Sequence, residues 1–459
     1  MNGESSIAQG PLEVHIYQVE NRDFALDINN GNFFELDPVA RGVLIMHGAG
    51  RKKDEIMKDL SRHFNEKAVT EALVELDNLK TRGNFQTPIR TQNDLVQDRF
   101  EFNTICMMIS QDCNLRCRYC YADSGTYGQD RSLMSEKTAE RCVDFLFEHS
   151  GESRLLSIIF FGGEPLLNVN VLKHTVDYAR QLASSAHKEI GFSITTNGTL
   201  LSGNTLDFLV SNDIGISVSI DGQPATHDTR RQFQNGQGSY YTIENNLKEY
   251  NKKAGIGRFS IRGTIARRDT DYVQTVEHLM RLGSDNIAME LCFCDNQEIG
   301  IQESDLAHVK AQYRELAKEF IKAEKKGRRL PFPQIEDVMG AISQRRIRTT
   351  PCGAGNFYLS ISAVGGIYPC HRLVGNEQYR VGDVSSGISR PEIIRQFAQT
   401  QVTEIPKCAS CWARYLCGGG CRAEAIKYNN DFFKPHEIEC DIFRYLVELS
   451  TYAHSELRR

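Results

Sequence analysis

The chain has 459 residues, of which 40% are hydrophobic and 25% are charged, the balance of a globular protein with buried cores. Its 54 basic and 59 acidic side chains give a net charge of −5, which disfavours a protein that coats nucleic acid. No run of about 18 apolar residues and no secretory signal occur, so we expect no membrane partner and a cytoplasmic location.

The cysteine content is the most informative part of the composition. The chain has fourteen cysteines, and most of them lie in two tight clusters. Disulfides in a secreted protein are one explanation, but the clustering and the missing signal peptide oppose it. Ligands for iron or zinc are the better explanation.

Residues 1–95 are predicted to form a separate, winged-helix-like unit. Asp37-Pro38 supplies a helix N-cap followed by a proline at the first helical position. The polar stretch Thr87–Gln97 is a predicted linker to the next domain. The predicted elements are three strands and then three helices: Glu13–Val19, Phe24–Ile28, Phe33–Leu36, Pro38–Gly48, Lys52–Phe64 and Glu66–Lys80.

Residues 100–302 alternate apolar strands with helical stretches. This alternation predicts a parallel sheet covered by helices, as either an incomplete barrel or a doubly wound sheet. In both folds the functional site lies beyond the C-terminal ends of the strands. The predicted strands are Thr104–Ile109, Leu155–Phe161, Gly191–Thr195, Gly215–Ile220, Phe259–Ile265 and Ile287–Cys294.

The remainder divides into a helical bridge and a cysteine-rich region. Residues 303–347 begin with a charged helix that Pro331 and Pro333 terminate. Residues 348–459 carry seven of the fourteen cysteines but only short stretches of regular pattern. We therefore expect metal ligation to hold this last region together.

The first cysteine cluster directly follows the first predicted strand of the sheet. Cys113, Cys117 and Cys120 place three thiols on one loop, at spacings of four and three residues. Three thiolates suit a [4Fe–4S] cluster in which one iron lacks a protein ligand. The same loop, with no nearby histidine, would leave a structural zinc site incomplete.

This motif resembles the signature of radical S-adenosylmethionine (SAM) enzymes, and so do loops after the next three strands. Those loops are Gly162–Pro165, Thr195–Gly198 and Ser217–Gly222, followed by His227–Arg231. The resemblance implies a partial (β/α)6 barrel over residues 100–302. The SAM-binding residues that it implies are Tyr119, Gly162, Gly163, Glu164, Asn197, Ser219 and Arg231.

The second cysteine field resembles the SPASM extension of radical SAM peptide-modifying enzymes. The resemblance implies two auxiliary [4Fe–4S] clusters, which brings the expected total to three. One would be held completely by Cys408, Cys411, Cys417 and Cys440. The other would be held by Cys352, Cys370 and Cys421, with the fourth ligand unidentified. Taken alone, Cys408, Cys411 and Cys417 would also suit zinc.

Four cysteines remain outside these sets. Cys106 on a strand and Cys142 on a helix are predicted to be core thiols. Cys292 and Cys294 alternate on the last predicted strand and therefore share a face. Packing is favoured for this pair over a role near the substrate.

The N-terminal unit resembles the elements with which peptide-modifying enzymes bind a leader peptide. A DNA-binding winged helix is the alternative. Its recognition helix would carry Glu66, Glu71, Glu75 and Asp77 against Lys67 and Lys80, a balance that phosphates would repel. A peptide can instead add a strand to the edge of a small sheet.

The motifs together predict a radical SAM/SPASM enzyme that modifies a ribosomally made peptide. The segments around Cys352 and Cys370 resemble thioether-forming maturases of the SCIFF/ranthipeptide type, which join a Cys sulfur to carbon. The expected partners are a Cys-containing precursor peptide and an electron donor such as flavodoxin or ferredoxin. The alternatives are formylglycine formation in a sulfatase, carbon–carbon bond formation in a peptide or quinone-cofactor precursor, and a zinc-bound regulator without enzymatic activity.

Overall fold

A computed structural model describes residues 12–85 and 100–459. The predicted linker Thr87–Gln97 and the boundary at residue 95 lie outside these residues, and the division into four units remains a prediction. The N-terminal unit is an antiparallel sheet in the order β1-β2-β3, followed by three helices. Its elements are β1 (Val14–Val19), β2 (Arg22–Asp27), β3 (Phe33–Leu36), α1 (Pro38–Gly48), α2 (Lys53–Leu60) and α3 (Glu66–Thr81).

The central sheet contains six parallel strands in the order β4-β7-β8-β9-β11-β12, which is also their order along the chain. A doubly wound sheet would reverse direction at a switch point, so this order favours the barrel-like alternative. The strands are β4 (Thr104–Gln111), β5 (Leu115–Cys117), β6 (Ser132–Leu133), β7 (Leu155–Gly162), β8 (Glu189–Thr196), β9 (Gly215–Ser219), β10 (Arg231–Phe233), β11 (Phe259–Ile265) and β12 (Asn286–Leu291).

Helices follow the strands as the alternating pattern predicts. They begin at side-chain caps in several places; for example, Ser135 Oγ accepts a hydrogen bond from the backbone N–H of Thr138 across 3.1 Å. The helices are α4 (Glu136–Glu148), α5 (Val169–Ser185), α6 (Gly203–Ser211), α7 (Pro224–Asp228), α8 (Tyr240–Ala254), α9 (Tyr272–Met280), α10 (Leu306–Glu324) and α11 (Pro333–Ser343).

The cysteine-rich region extends the central sheet, so strand pairing helps to organise it beside the metal ligation that we expect there. Its first strand, β13, pairs parallel with β4, and the next three strands follow in antiparallel order. The elements are β13 (Tyr358–Ile361), β14 (Gly366–Tyr368), β15 (Gly382–Asp383), β16 (Gly387–Ile388), α12 (Pro391–Gln399), α13 (Pro406–Ala409), α14 (Arg414–Cys417), α15 (Arg422–Asn429) and α16 (Glu437–Arg458).

The central strands β8 and β9 have one apolar face and one face of small hydroxyl residues. Ile194 on β8 and Val218 on β9 point into the core beneath the helices. Their neighbours Ser193 and Ser217 point to the opposite face, where a large cavity lies. Inside a closed barrel such positions would be filled by bulky side chains, so small hydroxyl residues here leave room for a ligand.

The N-terminal sheet lies between its own helices and α16. Ala25 packs with the core of α1, α2 and α3, whereas Phe24 and Tyr17 on the other face join the main core. Tyr17 OH and Thr451 Oγ1 share a hydrogen bond, and His15 stacks on Trp412 with ring centroids 3.7 Å apart. The unit is therefore packed onto the cysteine-rich region.

Candidate functional site

The first cysteine loop follows β4 and is held by a small antiparallel ribbon. Cys113 comes two residues after β4, and its backbone N–H donates to Asp112 Oδ1 across 2.8 Å. Cys117 ends β5, which pairs with β10 so that Cys117 lies opposite Arg231. Burial raises the pKa of the Cys113 thiol to about 12, and the charges of Glu164, Cys117 and Cys120 raise it further. The three predicted ligands therefore lie close enough to interact electrostatically.

Two glycines allow the end of β7 to pack directly on this loop. Gly162 has φ +131°, and a Cβ there would lie 2.2 Å from the carbonyl oxygen of Ser110. A Cβ at Gly163 would lie 2.2 Å from the carbonyl oxygen of Asp112 and 2.8 Å from the Cα of Gly125. Backbone groups cannot yield as a flexible side chain does, so both positions require glycine.

Replacement of Gly163 by alanine should therefore displace the cysteine loop. Overpacking of this kind costs about 1–3 kcal/mol, which we expect as a lower midpoint of thermal unfolding together with a reduced iron content. The control is Gly191→Ala on β8, where the nearest atom would be 3.9 Å from the new Cβ. Equal iron content and unfolding midpoint in the two variants would contradict this account of the glycine packing.

Glu164 is fully buried and its carboxylate is bound mostly by the protein. Glu164 Oε1 accepts from the Leu166 backbone N–H at 2.9 Å and from Thr196 Oγ1 at 2.8 Å, and Oε2 accepts from the Asn197 backbone N–H at 2.7 Å. A carboxylate has about four acceptor sites, so at most one remains for a ligand. Glu164 thus fixes the loop of Asn197 against β7.

Asn197 lies next to the first cysteine. Its Nδ2 donates to Asn114 Oδ1 across 2.8 Å and lies 3.8 Å from Cys113 Sγ. Its Oδ1 accepts from the backbone N–H and the hydroxyl of Thr199. The amide is therefore part of the wall around the cysteine loop.

Tyr119, Asp221 and Arg231 form a buried polar chain beside the loop. Tyr119 OH donates to Asp221 Oδ2 and accepts from Arg231 Nη1, both across 2.7 Å. Burial raises the pKa of Asp221, and the charge of Arg231 acts in the opposite direction. Arg230, its neighbour in the same segment, instead donates to Asp269 Oδ2 across 2.8 Å. The structure therefore places Arg231, and not Arg230, beside Tyr119.

His227 is hydrogen-bonded to the backbone of this polar chain. Burial lowers its pKa to about 2, with the charges of Arg231 and Arg230 adding to the effect, so the ring is neutral. His227 Nδ1 accepts from the Asp221 backbone N–H across 3.2 Å, which assigns the ring proton to Nε2 and its hydrogen bond to Ser239 Oγ. Ser239 in turn donates to the Arg231 carbonyl oxygen across 2.6 Å.

A cavity of about 1180 Å³ extends from this chain to the second cysteine field. Tyr119, Arg231 and Ser219 line one part of it, and Cys352 and Cys370 line another. Arg231 Nε and Ser217 Oγ are buried there without a hydrogen-bond partner in the structure. Unpaired buried donors are costly, so they suit a polar ligand that carries carboxylate or hydroxyl groups.

In the second cysteine field, members of each predicted set influence one another's pKa. Burial raises the pKa of Cys370 to about 12, and the charges of Cys421 and Cys352 raise it further. Burial likewise raises the pKa of Cys440 to about 12, with Cys417 and Cys408 adding to the effect. Burial also raises the pKa of Cys408, and the charge of Cys411 adds to this effect. Each set brings together the thiol donors that an iron–sulfur cluster takes as thiolates, so the residues present fit such a group.

Three consecutive glycines connect these two sets. Gly418, Gly419 and Gly420 have φ of +77°, +107° and +72°, a backbone that other residues rarely adopt. A Cβ at Gly418 would also lie 2.4 Å from the carbonyl oxygen of Thr350. This turn lies between Cys417 and Cys421, which are four residues apart and which we predict to belong to different sets.

Residues 12–85 and 100–459 contain neither a convergent single-metal site nor a membrane-crossing helix. Within residues 12–85 and 100–459, no group of three or more His, Cys, Asp or Glu side chains is arranged around a single metal ion. The thiolates of a four-iron cluster bind separate irons and need not converge on one point. Over the same two ranges, no helix combines the length and the hydropathy that a membrane crossing requires.

The sequence did not single out several residues that the structure brings to the site. Asp221 and His227 lie in the segments Ser217–Gly222 and His227–Arg231, but the sequence alone does not predict a role for either residue. Cys106 is a core thiol, as predicted, and its core cluster also borders the cavity near Tyr358, whose hydroxyl shares a hydrogen bond with His371 Nδ1 across 2.9 Å. The alternation of polar and apolar residues on β8 and β9 could have predicted which face of the sheet borders the cavity.

Residues 107–282 match the family model described as the Radical SAM superfamily. An uncharacterized protein of Methanocaldococcus jannaschii is 30% identical over 188 residues, which cover 41% of this chain and 62% of that protein. The cysteine-type anaerobic sulfatase-maturating enzyme of Clostridium novyi is 22% identical, over 68% of this chain and 86% of that enzyme. The radical SAM cyclopropyl synthase TigE of Paramaledivibacter caminithermalis is 22% identical, over 76% of this chain and 73% of that enzyme.

Solved structures share the fold. The structure of anSMEcpe with bound AdoMet and Cp18Cys peptide aligns with TM-score 0.66 and 18% identity, covering 78% of this chain and 99% of that one. Streptococcus suis SuiB bound to precursor peptide SuiA aligns with TM-score 0.52 and 16% identity, covering 94% and 99%. Residues 107–282 thus match the Radical SAM superfamily, and longer stretches of the chain are similar to enzymes named as a sulfatase-maturating enzyme and a cyclopropyl synthase.

Proposed function

We propose that this enzyme modifies a ribosomally made peptide by joining a Cys sulfur to a carbon atom. The observation that carries the proposal is a cavity that extends from residues beside the first cysteine loop to cysteines of the second field. Tyr119 and Arg231 line it beside the first field, and Cys352 and Cys370 line it in the second. A peptide segment bound in this cavity could contact the residues beside the first field and the cysteines of the second field. The test is the mass and thiol content of the peptide product.

The first field is the proposed site of cluster and SAM binding. Cys113, Cys117 and Cys120 would hold a [4Fe–4S] cluster, which when reduced supplies the electron that cleaves SAM to methionine and a 5′-deoxyadenosyl radical. Arg231 has an unpartnered Nε and would bind the SAM carboxylate. Ser219, Asn197, Gly162, Gly163 and Glu164 shape the surrounding wall, and Tyr119 orients Arg231.

Tyr119→Phe should weaken SAM binding by about tenfold, because Asp221 Oδ2 and Arg231 Nη1 each lose their hydrogen bond to the hydroxyl and such losses cost about 1–3 kcal/mol. The measurement is the SAM dissociation constant of the iron-loaded enzyme. Tyr178→Phe is the matched control, since it removes a tyrosine hydroxyl that donates to Asp144 across 2.8 Å outside the cavity. An unchanged dissociation constant in Tyr119→Phe would show that this chain does not support the SAM contact.

The second field is the proposed site of two auxiliary clusters. The set of Cys408, Cys411, Cys417 and Cys440 supplies four thiols. The set of Cys352, Cys370 and Cys421 supplies three and borders the cavity. We propose that a substrate Cys provides the fourth thiolate there, because bound metal favours the thiolate form at neutral pH. The reacting sulfur would then be fixed inside the cavity.

The N-terminal unit is the proposed binding element for the leader of the peptide. Its strands β1 and β3 each pair only with β2 among residues 12–85 and 100–459, so both edges are available for strand addition. SuiB, whose structure contains its precursor peptide SuiA, supports a peptide partner. Deleting the unit would uncover the apolar surface of α16 beneath Phe24, so a test must keep the chain intact.

Hydrogen exchange of the full-length enzyme tests the leader site without any substitution. Addition of the candidate precursor peptide should slow amide exchange in β1 or β3, because a bound strand would take up the free backbone groups of that edge. A peptide with a scrambled leader is the control. Binding of the intact peptide with unchanged exchange in both strands would place the leader elsewhere.

Formylglycine formation is the second candidate, because two kinds of sulfatase-maturating enzyme are among the relatives. That product is an aldehyde and a hydrazide reagent traps it, whereas a thioether does not react. Carbon–carbon bond formation would leave every peptide thiol in place. In each case we expect a flavodoxin or ferredoxin to supply the electrons.

A further inference from the structure

Two cysteines outside the predicted cluster sets stand side by side at the edge of the cavity. We expected them on the last strand, but β12 ends at Leu291 and the chain continues through Cys292-Phe293-Cys294. Cys292 Sγ donates a hydrogen bond to Cys294 Sγ across 3.5 Å. Cys292 lines the cavity, and Tyr119 and Cys294 both pack against the small core cluster that contains Cys292. The pair therefore lies at the end of the cavity near the first cysteine loop.

The main chain around Cys292 is held on both sides. The Cys292 backbone N–H donates to the Ile265 carbonyl oxygen, and the Cys292 carbonyl oxygen accepts from the Ile301 backbone N–H, both across 2.8 Å. Gly300 packs on the backbone of Cys294, where a Cβ would lie 2.5 Å from the carbonyl oxygen. The backbone contacts of Cys292 and Cys294 thus keep the two thiols close together.

The two thiols differ in exposure. Cys292 is 4% exposed, whereas Cys294 is partly exposed. A reagent from solvent would therefore meet Cys294 first, with Cys292 next to it as the second thiol. This is the arrangement of an attacking cysteine and a resolving cysteine in thiol–disulfide exchange.

We propose that Cys292 and Cys294 form a redox-active dithiol that small-molecule disulfides oxidise. The Cys294 thiolate attacks the small disulfide, which forms a mixed disulfide and releases one thiol. The Cys292 thiolate then attacks the Cys294 sulfur and releases the second thiol. Two protein thiols become one disulfide, and one small disulfide becomes two thiols, so atoms and electrons balance.

Oxidation would change the cavity wall. A disulfide needs an S–S distance of about 2.05 Å, so the two sulfurs must approach from their present 3.5 Å. The backbone of Cys292 is held by hydrogen bonds to Ile265 and Ile301. We therefore expect the segment that contains Phe293, which lines the cavity, to move instead. This inference is independent of the proposed reaction, since it concerns only the protein thiols.

The test is anaerobic incubation of the iron-loaded enzyme with glutathione disulfide, followed by acid quenching, N-ethylmaleimide treatment and peptide mass spectrometry. The wild-type peptide that holds Cys292 and Cys294 should lose both alkylation sites and become about 2 Da lighter. In Cys292→Ser, Cys294 should instead stop at the mixed disulfide with glutathione. The buried thiols of Cys106 and Cys142 are internal controls and should remain fully alkylated.

Two outcomes would overturn the proposal. Full alkylation of both cysteines in the wild type would show that the pair does not react. Accumulation of the same glutathione adduct on Cys294 in the wild type and in Cys292→Ser would show that Cys292 does not resolve it. Because neither readout depends on a peptide substrate or on SAM, failure here would leave the proposed function untouched.

Discussion

Replacement of Cys113, Cys117 and Cys120 together by alanine should abolish reductive SAM cleavage. The variant should retain about eight of about twelve iron atoms per chain, since the other two sets of cysteines lie elsewhere in the fold and would fill independently. The measurements are iron content and the 5′-deoxyadenosine formed with a strong reductant. Cys142→Ala is the control, because that thiol is fully buried beneath the sheet and should affect neither quantity.

Two results would contradict this prediction. If 5′-deoxyadenosine still formed, the first loop would not hold the SAM-cleaving cluster. Zinc in place of iron in the isolated protein would favour the non-enzymatic regulator. A loss of all iron would show instead that the three sites fill cooperatively, against the independence that their separate positions in the fold imply.

Cys352→Ala should stop peptide cross-linking while SAM cleavage continues. Fixing a reacting group contributes up to about 7–11 kcal/mol in the best intramolecular cases. Loss of about 3 kcal/mol of that contribution already lowers a rate about a hundredfold. Cys352 is exposed and lies outside the first loop, so its removal should leave 5′-deoxyadenosine formation near the wild-type level.

The comparison of the two products identifies the role of the set. The measurements are cross-linked peptide and 5′-deoxyadenosine from the same reaction, and Cys142→Ala again serves as the control. A variant that cross-linked the peptide at the wild-type rate would exclude Cys352 from the reaction. A parallel loss of both products would mean that Cys352 supports the whole fold or SAM cleavage and not the cross-link alone.

Local signals predicted the elements with strong caps and clear periodicity. The bounds of β3, α1 and β11 agree with prediction, and Asp37 Oδ1 accepts from the Ala40 N–H across 2.7 Å as an N-cap should. These features depend on neighbours within a few residues. Spacing within the first loop also located three thiols that the structure brings together.

Features made by distant segments could not be predicted in this way. The four strands that continue the sheet from β4 are two to four residues long, too short to show a period. The hydrogen bond from Tyr119 to Asp221 joins positions 102 residues apart. The predicted end of the last strand was three residues too late. Cys292 and Cys294 pack in a small core cluster as predicted, and Cys292 also lines the cavity.

The mass and thiol content of the peptide product, measured after reduction and alkylation, test the central claim most directly. For each thioether, we predict a peptide about 2 Da lighter with one alkylatable thiol fewer, formed together with 5′-deoxyadenosine. Reduction before the measurement removes any disulfide, which would cost the same mass. A modified peptide that retained all its thiols, or that carried a hydrazide-reactive aldehyde, would contradict thioether formation.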